Sequence, residues 1–98
     1  MNSITPVELQ KKLENEEALP IIDVRETAEV KTGKIPGANN IPLGLLEFRM
    51  NELDKAMQYF VVCQSGGRSS QAVRFLEYQG FKVVNVDGGM SAWKGQLQ

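Results

Sequence analysis

The sequence predicts an α/β domain: a mainly parallel sheet of four to five strands with helices on both faces. Two observations carry this expectation. Short apolar runs rich in β-branched residues recur along the 98 residues, separated by helical stripes, and connections of that length join strands in parallel through crossovers. The runs are also continuously apolar where half-exposed strands would alternate, which suits strands buried on both faces.

The elements follow in order. Thr5, Pro6 and Glu8 read as a helix start. The Thr5 hydroxyl caps, Pro6 takes the first helical position and Glu8 reaches back. Ile4 and Leu9 have the spacing of a hydrophobic staple, Leu9 and Leu13 supply the buried stripe, and the polar run Glu14 to Glu17 ends the helix. Leu19 to Val24 is a strand with Pro20 near its start, where a missing donor is tolerated. A brief helix from Glu26 to Thr32 stops at Gly33, and Ile35-Pro36-Gly37-Ala38 turns into a short strand near Asn40 and Ile41. Leu43 to Leu53 carries a second helical stripe. Tyr59 to Val62 is the clearest strand, and it runs directly into Cys63 and a glycine-bearing loop. Ala72, Val73 and Leu76 then line one face of a helix stopped by Gly80. Val83 to Val86 makes a further strand, Asp87-Gly88-Gly89 turns, and Met90 to Lys94 closes the chain with Trp93 on the core. No repeat, linker or low-complexity tract intervenes, so residues 1–98 are read as one domain.

Composition removes whole mechanisms. There is no histidine and one cysteine, Cys63, so Ser-His-Asp and Cys-His machinery, zinc sites of clustered Cys and His, and an intramolecular disulfide are all excluded. A cysteine count this low fits a reducing compartment, and a cytoplasmic protein is expected. The net charge of −1 argues against a general nucleic-acid binder. The longest apolar run, Tyr59 to Cys63, spans five residues, so no membrane span or signal-peptide core is expected.

In an open α/β sheet, ligands bind beyond the carboxyl ends of the strands, and Cys63 stands at one of those ends. A cysteine closing an apolar strand is ordinarily a small buried hydrophobe. Here Cys63 opens the run Gln64-Ser65-Gly66-Gly67-Arg68-Ser69-Ser70. Two glycines permit positive φ, so successive N–H groups can turn inward as an anion nest around the sulfur. The following helix adds its positive dipole end, and both effects favour thiolate without a histidine base. Arg68 offers a guanidinium fork for a second anionic group. From Lys55 to Leu76 there are three cations and no Asp or Glu, so this segment is +3 while the remainder sums to −4. A thiolate in such surroundings suits a small dianionic substrate.

Five features taken together resemble a family. They are Asp23-Val24-Arg25; Gly33-Lys34-Ile35-Pro36-Gly37-Ala38 leading to Ile41-Pro42; the Cys63 loop with Arg68-Ser69; Gly80-Phe81; and Gly88-Gly89 with Trp93. In this order the chain resembles a single-domain rhodanese of the thiosulfate sulfurtransferase type, and the fold expected is the three-layer rhodanese one. The resemblance implies that Cys63 attacks the outer sulfur of thiosulfate, releases sulfite and holds a persulfide that a thiol, a sulfur-acceptor protein or cyanide then discharges. Gln64, Ser65, Gly66, Gly67, Arg68 and Ser69 would bind the donor. No metal or organic cofactor is implied, and a monomer is expected. The six residues from Cys63 to Arg68 match the rhodanese loop, whereas dual-specificity phosphatases carry one more before their arginine. Gln64 and Arg68 depart from the mercaptopyruvate branch, and Lys34 stands where the family commonly has histidine. A binding or regulatory module that kept the fold without turnover is the competing class; the intact cysteine loop favours the enzyme. Asp23 and Arg25 are read as structural, Asp23 accepting backbone N–H bonds and Arg25 pairing with Glu26 or Glu29.

Overall fold

The computed structural model describes residues 1–15 and 18–98. Five strands form one parallel sheet in the order β1-β5-β4-β2-β3: β1 is Asn2–Ile4, β2 Ile21–Asp23, β3 Asn39–Asn40, β4 Gln58–Val62 and β5 Lys82–Val86. Successive residues of the central strands pack on opposite faces. Ile22, Tyr59, Val61, Cys63 and Val83 join one apolar cluster with Ala72, Val73 and Leu76 of helix α4 (Gly67–Tyr78) and Leu46 of helix α3 (Leu46–Arg49). Ile4, Ile21, Phe60, Val62, Val84 and Val86 join the other with Leu9 of helix α1 (Pro6–Glu14), Ile35 and Ala38, with Trp93 packed against it. Both faces of a central strand are shielded from water in this way, which is why the runs read as unbroken apolar.

The start of α1 forms as its residues dictate. The Thr5 hydroxyl accepts from the Glu8 N–H at 3.1 Å, and the Glu8 carboxylate accepts from the Thr5 N–H at 2.9 Å. The end of α1 was expected from Glu14 to Glu17; Glu16 and Glu17 lie outside the described residues. Leu76, Val73 and Ala72 are fully buried on α4, and Gly80 takes a positive φ of 93° just past the helix.

One strand was not read from the sequence, and one expectation needs correction. The polar first residues include β1, an edge strand whose pairing with β5 was not legible because only Ile4 is buried. The stripe from Leu43 to Leu53 is not one helix. It breaks into a 3-10 turn over Leu43–Leu45, helix α3 and a second 3-10 turn over Met50–Glu52. Leu45 and Arg49, with φ near −106° and −109° and ψ near 0°, interrupt the helical geometry, and Gly44 adds low propensity at the start. The stripe still serves its purpose, since Leu43, Leu46, Met50 and Leu53 all pack on the α4 face. Among the described residues no helix is long and apolar enough to cross a membrane.

Candidate active site

The carboxyl ends of β2 and β4 lie side by side, with Asp23 paired in register with Val62. Cys63 therefore leaves the sheet at its centre. Its residue surface is 1% exposed, and its Sγ faces the first turn of α4. The Gly66 N–H reaches Sγ at 3.0 Å, and the Ser69 hydroxyl lies 3.3 Å away. Gly66 has φ 111°, a left-handed conformation that turns its N–H back toward the sulfur before the helix begins at Gly67. Of the two loop glycines, only Gly66 has a positive φ. Gly67 is simply the first helical residue, and its exposed Cα leaves the approach open.

A second segment fixes the loop from behind. The short 3-10 turn Gly89–Ala92 donates from the Met90 N–H to the Cys63 carbonyl and from the Ser91 N–H to the Gln64 carbonyl, each at 2.9 Å. Those bonds hold both carbonyls away from the sulfur, which leaves N–H groups to face it. The turn must approach very closely. A methyl on Gly89, whose φ is 55°, would overlap the Cys63 carbonyl and stand 2.8 Å from that of Gln64.

Burial alone pushes the Cys63 thiol up, and it is the largest single influence. The Ser69 hydroxyl and the N–H groups of Ser69, Gly66 and Ser65 together outweigh it, so the thiol lies below the ordinary cysteine value. Ser69 is fully buried, so it acts on the sulfur and does not line an open cup. Its hydroxyl also lies 3.1 Å from the Gly66 carbonyl, which Ser70 serves too at 2.7 Å. One hydroxyl proton cannot serve both. With a thiol, Ser69 donates to Gly66; with a thiolate, it can turn to Sγ while Ser70 keeps the carbonyl satisfied.

The remaining loop residues divide. Ser65 is exposed at the mouth. Gln64 is tethered sideways, its amide nitrogen 3.2 Å from the Ser91 hydroxyl and its Oε1 accepting from Arg25 at 3.4 Å. Arg25 forks onto Asp23, with Nη2 to Oδ2 at 2.8 Å, and also donates to the Gly33 carbonyl at 2.8 Å. Its partner is thus Asp23, and neither Glu26 nor the Glu29 carboxylate takes it. Asp23 accepts from the Arg25 N–H as expected.

The basic segment does not make a basic cup. Lys55 precedes β4 and lies over the Phe81 ring at 5.4 Å, at the end of the sheet opposite Cys63, and Arg74 is exposed farther along α4. Of these three cations, only Arg68 stands at the loop. It is bound to Glu29 of helix α2 (Thr27–Val30), with Nη1 to Oε1 at 2.6 Å and Nη2 to Oε2 at 2.8 Å. These bonds first, and the Glu26 N–H second, pull the Glu29 carboxyl down to about 2. Glu29 was missed as a site residue because nothing in local spacing links it to a residue 39 positions away.

Residues 5–96 match the family model of the Rhodanese-like domain. The chain belongs to the rhodanese-like family. YtwF of Bacillus subtilis, provisionally named a sulfurtransferase, is 45% identical over 98 residues, covering 100% of this chain and 95% of that one. The sulfurtransferase of Allochromatium vinosum is 37% identical, over 95% of this chain and 88% of its own. A crystal structure of a rhodanese-like domain protein from Staphylococcus aureus superimposes with a TM-score of 0.95 at 40% identity, covering 100% and 97% of the two chains.

For this rhodanese-like domain the hydroxyl beside the sulfur yields a direct expectation. In Ser69→Ala the midpoint of the pH profile for Cys63 alkylation by iodoacetamide moves up, because a bond to the thiolate is lost while burial persists. At neutral pH the alkylation rate falls several-fold. An unchanged midpoint would mean that the backbone N–H groups alone hold the thiolate.

Proposed function

We propose that this domain is a sulfurtransferase that carries sulfane sulfur on Cys63, taking it from thiosulfate or a similar donor and passing it to a thiol or cyanide. The observation that carries this reading is the pair of contacts at Sγ, the Gly66 N–H at 3.0 Å and the Ser69 hydroxyl at 3.3 Å, with the N–H groups of Ser65 and Ser69 also favouring the thiolate. Such a nest at a helix start stabilises sulfur anions. In the first half-reaction the Cys63 thiolate attacks the outer sulfur of thiosulfate. The bond between the two thiosulfate sulfurs breaks, its electron pair leaves with sulfite, and Cys63 becomes a persulfide. An acceptor thiolate or cyanide then attacks the terminal sulfur, and the pair of that bond returns to Sγ. No electrons are gained or lost overall, and the covalent intermediate makes turnover ping-pong. Arg68 is the charged group nearest this chemistry on α4, and it and the Cys63 thiolate stabilise one another through space.

Ser65, Gly66 and Gly67 form the rim that meets the donor, while Gln64 and Ser69 support the loop. The natural partners are a small anionic sulfur donor and a thiol or acceptor protein, met by a monomer in the cytoplasm. Intact-mass measurement after thiosulfate treatment tests the reading. One added sulfur atom that cyanide or a small thiol removes is expected. A mass unchanged by thiosulfate and by persulfide donors would overturn it.

A further inference from the structure

Two guanidiniums stand at the carboxyl end of the sheet beside Cys63, and each already faces a carboxylate. Arg25 is committed to Asp23, to two carbonyls and to Gln64. Arg68 gives both terminal nitrogens to Glu29 in the parallel fork that a sulfonate would otherwise take. Glu29 is well held for this role. Its carboxylate also accepts from the Glu26 N–H at 2.9 Å, and its carbonyl receives Arg25 at 3.5 Å. The pair is about one-third exposed on each side, so a solute can reach and exchange it. Glu26 adds a second carboxylate close enough to act on Arg68.

Resting on the sulfurtransferase reading, we propose that Glu29 is a specificity-determining residue for the sulfur donor. Its carboxylate competes for the Arg68 fork and so weakens capture of dianionic thiosulfate relative to a persulfide with an uncharged tail. A dianion must displace an intramolecular carboxylate that is present at very high effective concentration. A neutral-tailed persulfide needs only the N–H groups around Sγ and loses nothing to the ion pair. Glu29 thereby turns a loop whose sequence suits small anions toward donors of lower charge.

Glu29→Gln tests this with least disturbance, because the amide oxygen can keep the Glu26 N–H while the charge is removed. Expected is a rise of roughly three- to tenfold in kcat/KM for thiosulfate, the size of one unit charge acting across a partly hydrated gap of several ångströms. With mercaptoethanol persulfide as donor, kcat/KM should stay within about twofold on the same reasoning. The gain should vanish when Arg68→Ala is added. A second measurement needs no sulfur transfer: the ratio of Cys63 alkylation by anionic iodoacetate to that by neutral iodoacetamide should rise by a similar factor. Equal changes for both donors, or a gain that survives Arg68→Ala, would overturn the proposal and leave Glu29 as a fastener of α2. If the alkylation ratio rises but neither donor loads Cys63, the sulfurtransferase reading fails, and the donor role of Glu29 falls with it.

Discussion

Cys63→Ser leaves a folded chain that takes up no sulfur from thiosulfate and turns over more than about a thousandfold more slowly, the loss expected on removing a nucleophile that forms the covalent intermediate. The physical case is the absence of any substitute. The sequence holds no second cysteine and no histidine. Its donors converge on one sulfur, and a serine hydroxyl there is neither thiolate nor a carrier of sulfane sulfur. The fold tolerates the change because Ser69 and the Gly66 N–H already supply hydrogen-bonding partners for a hydroxyl in that position. Intact mass after thiosulfate, read beside urea unfolding, separates loss of chemistry from loss of fold. Sulfur gained equally by the variant would place the transfer somewhere other than Cys63.

The sheet was legible because burial on both faces leaves a direct mark on composition. The runs ending in Val24, Val62 and Val86 contain few polar residues, and Thr5-Pro6-Val7-Glu8 writes its helix start into four positions. What stayed hidden is held by contacts between distant parts of the chain. Strand β1 exists because β5 offers it an edge, and Asn2-Ser3 has no strand signal of its own. The Cys63 loop announces its chemistry in sequence, since Gly66 and the helix start are local. Gly89, Ser91 and Glu29 do not, because they meet the loop from elements 26 to 39 positions away. The charge count misled for the same reason: the +3 segment is continuous in sequence, yet Lys55 and Cys63 stand at opposite ends of β4, and Arg68, the one cation of that segment at the loop, is paired from α2.

Asp23→Ala should damage the fold severely, costing about 3 to 5 kcal/mol, because it strands a buried guanidinium. Asp23 is fully buried and Arg25 is 2% exposed. The Asp23 carboxylate takes Nε at 3.1 Å, Nη2 at 2.8 Å and the Arg25 backbone N–H at 3.1 Å. Carbonyls of Glu29 and Gly33 remain for Arg25, but neither carries charge. A domain of this size is commonly stable by only about 5 to 15 kcal/mol, so the loss should show plainly in urea unfolding followed by Trp93 fluorescence. It should also reach the site, since Arg25 ties Gln64 and the backbone of α2 to the end of β2, and Glu29 rides on that helix. The double change Asp23→Ala with Arg25→Met separates ion-pair loss from general damage. Removing both charges abolishes the stranded cation, so the double variant should be more stable than Asp23→Ala alone by on the order of 1 to 3 kcal/mol. Costs that simply add would show that the pair contributes no coupling, and a single-variant cost below about 1 kcal/mol would show that water reaches Arg25 at this end of the sheet.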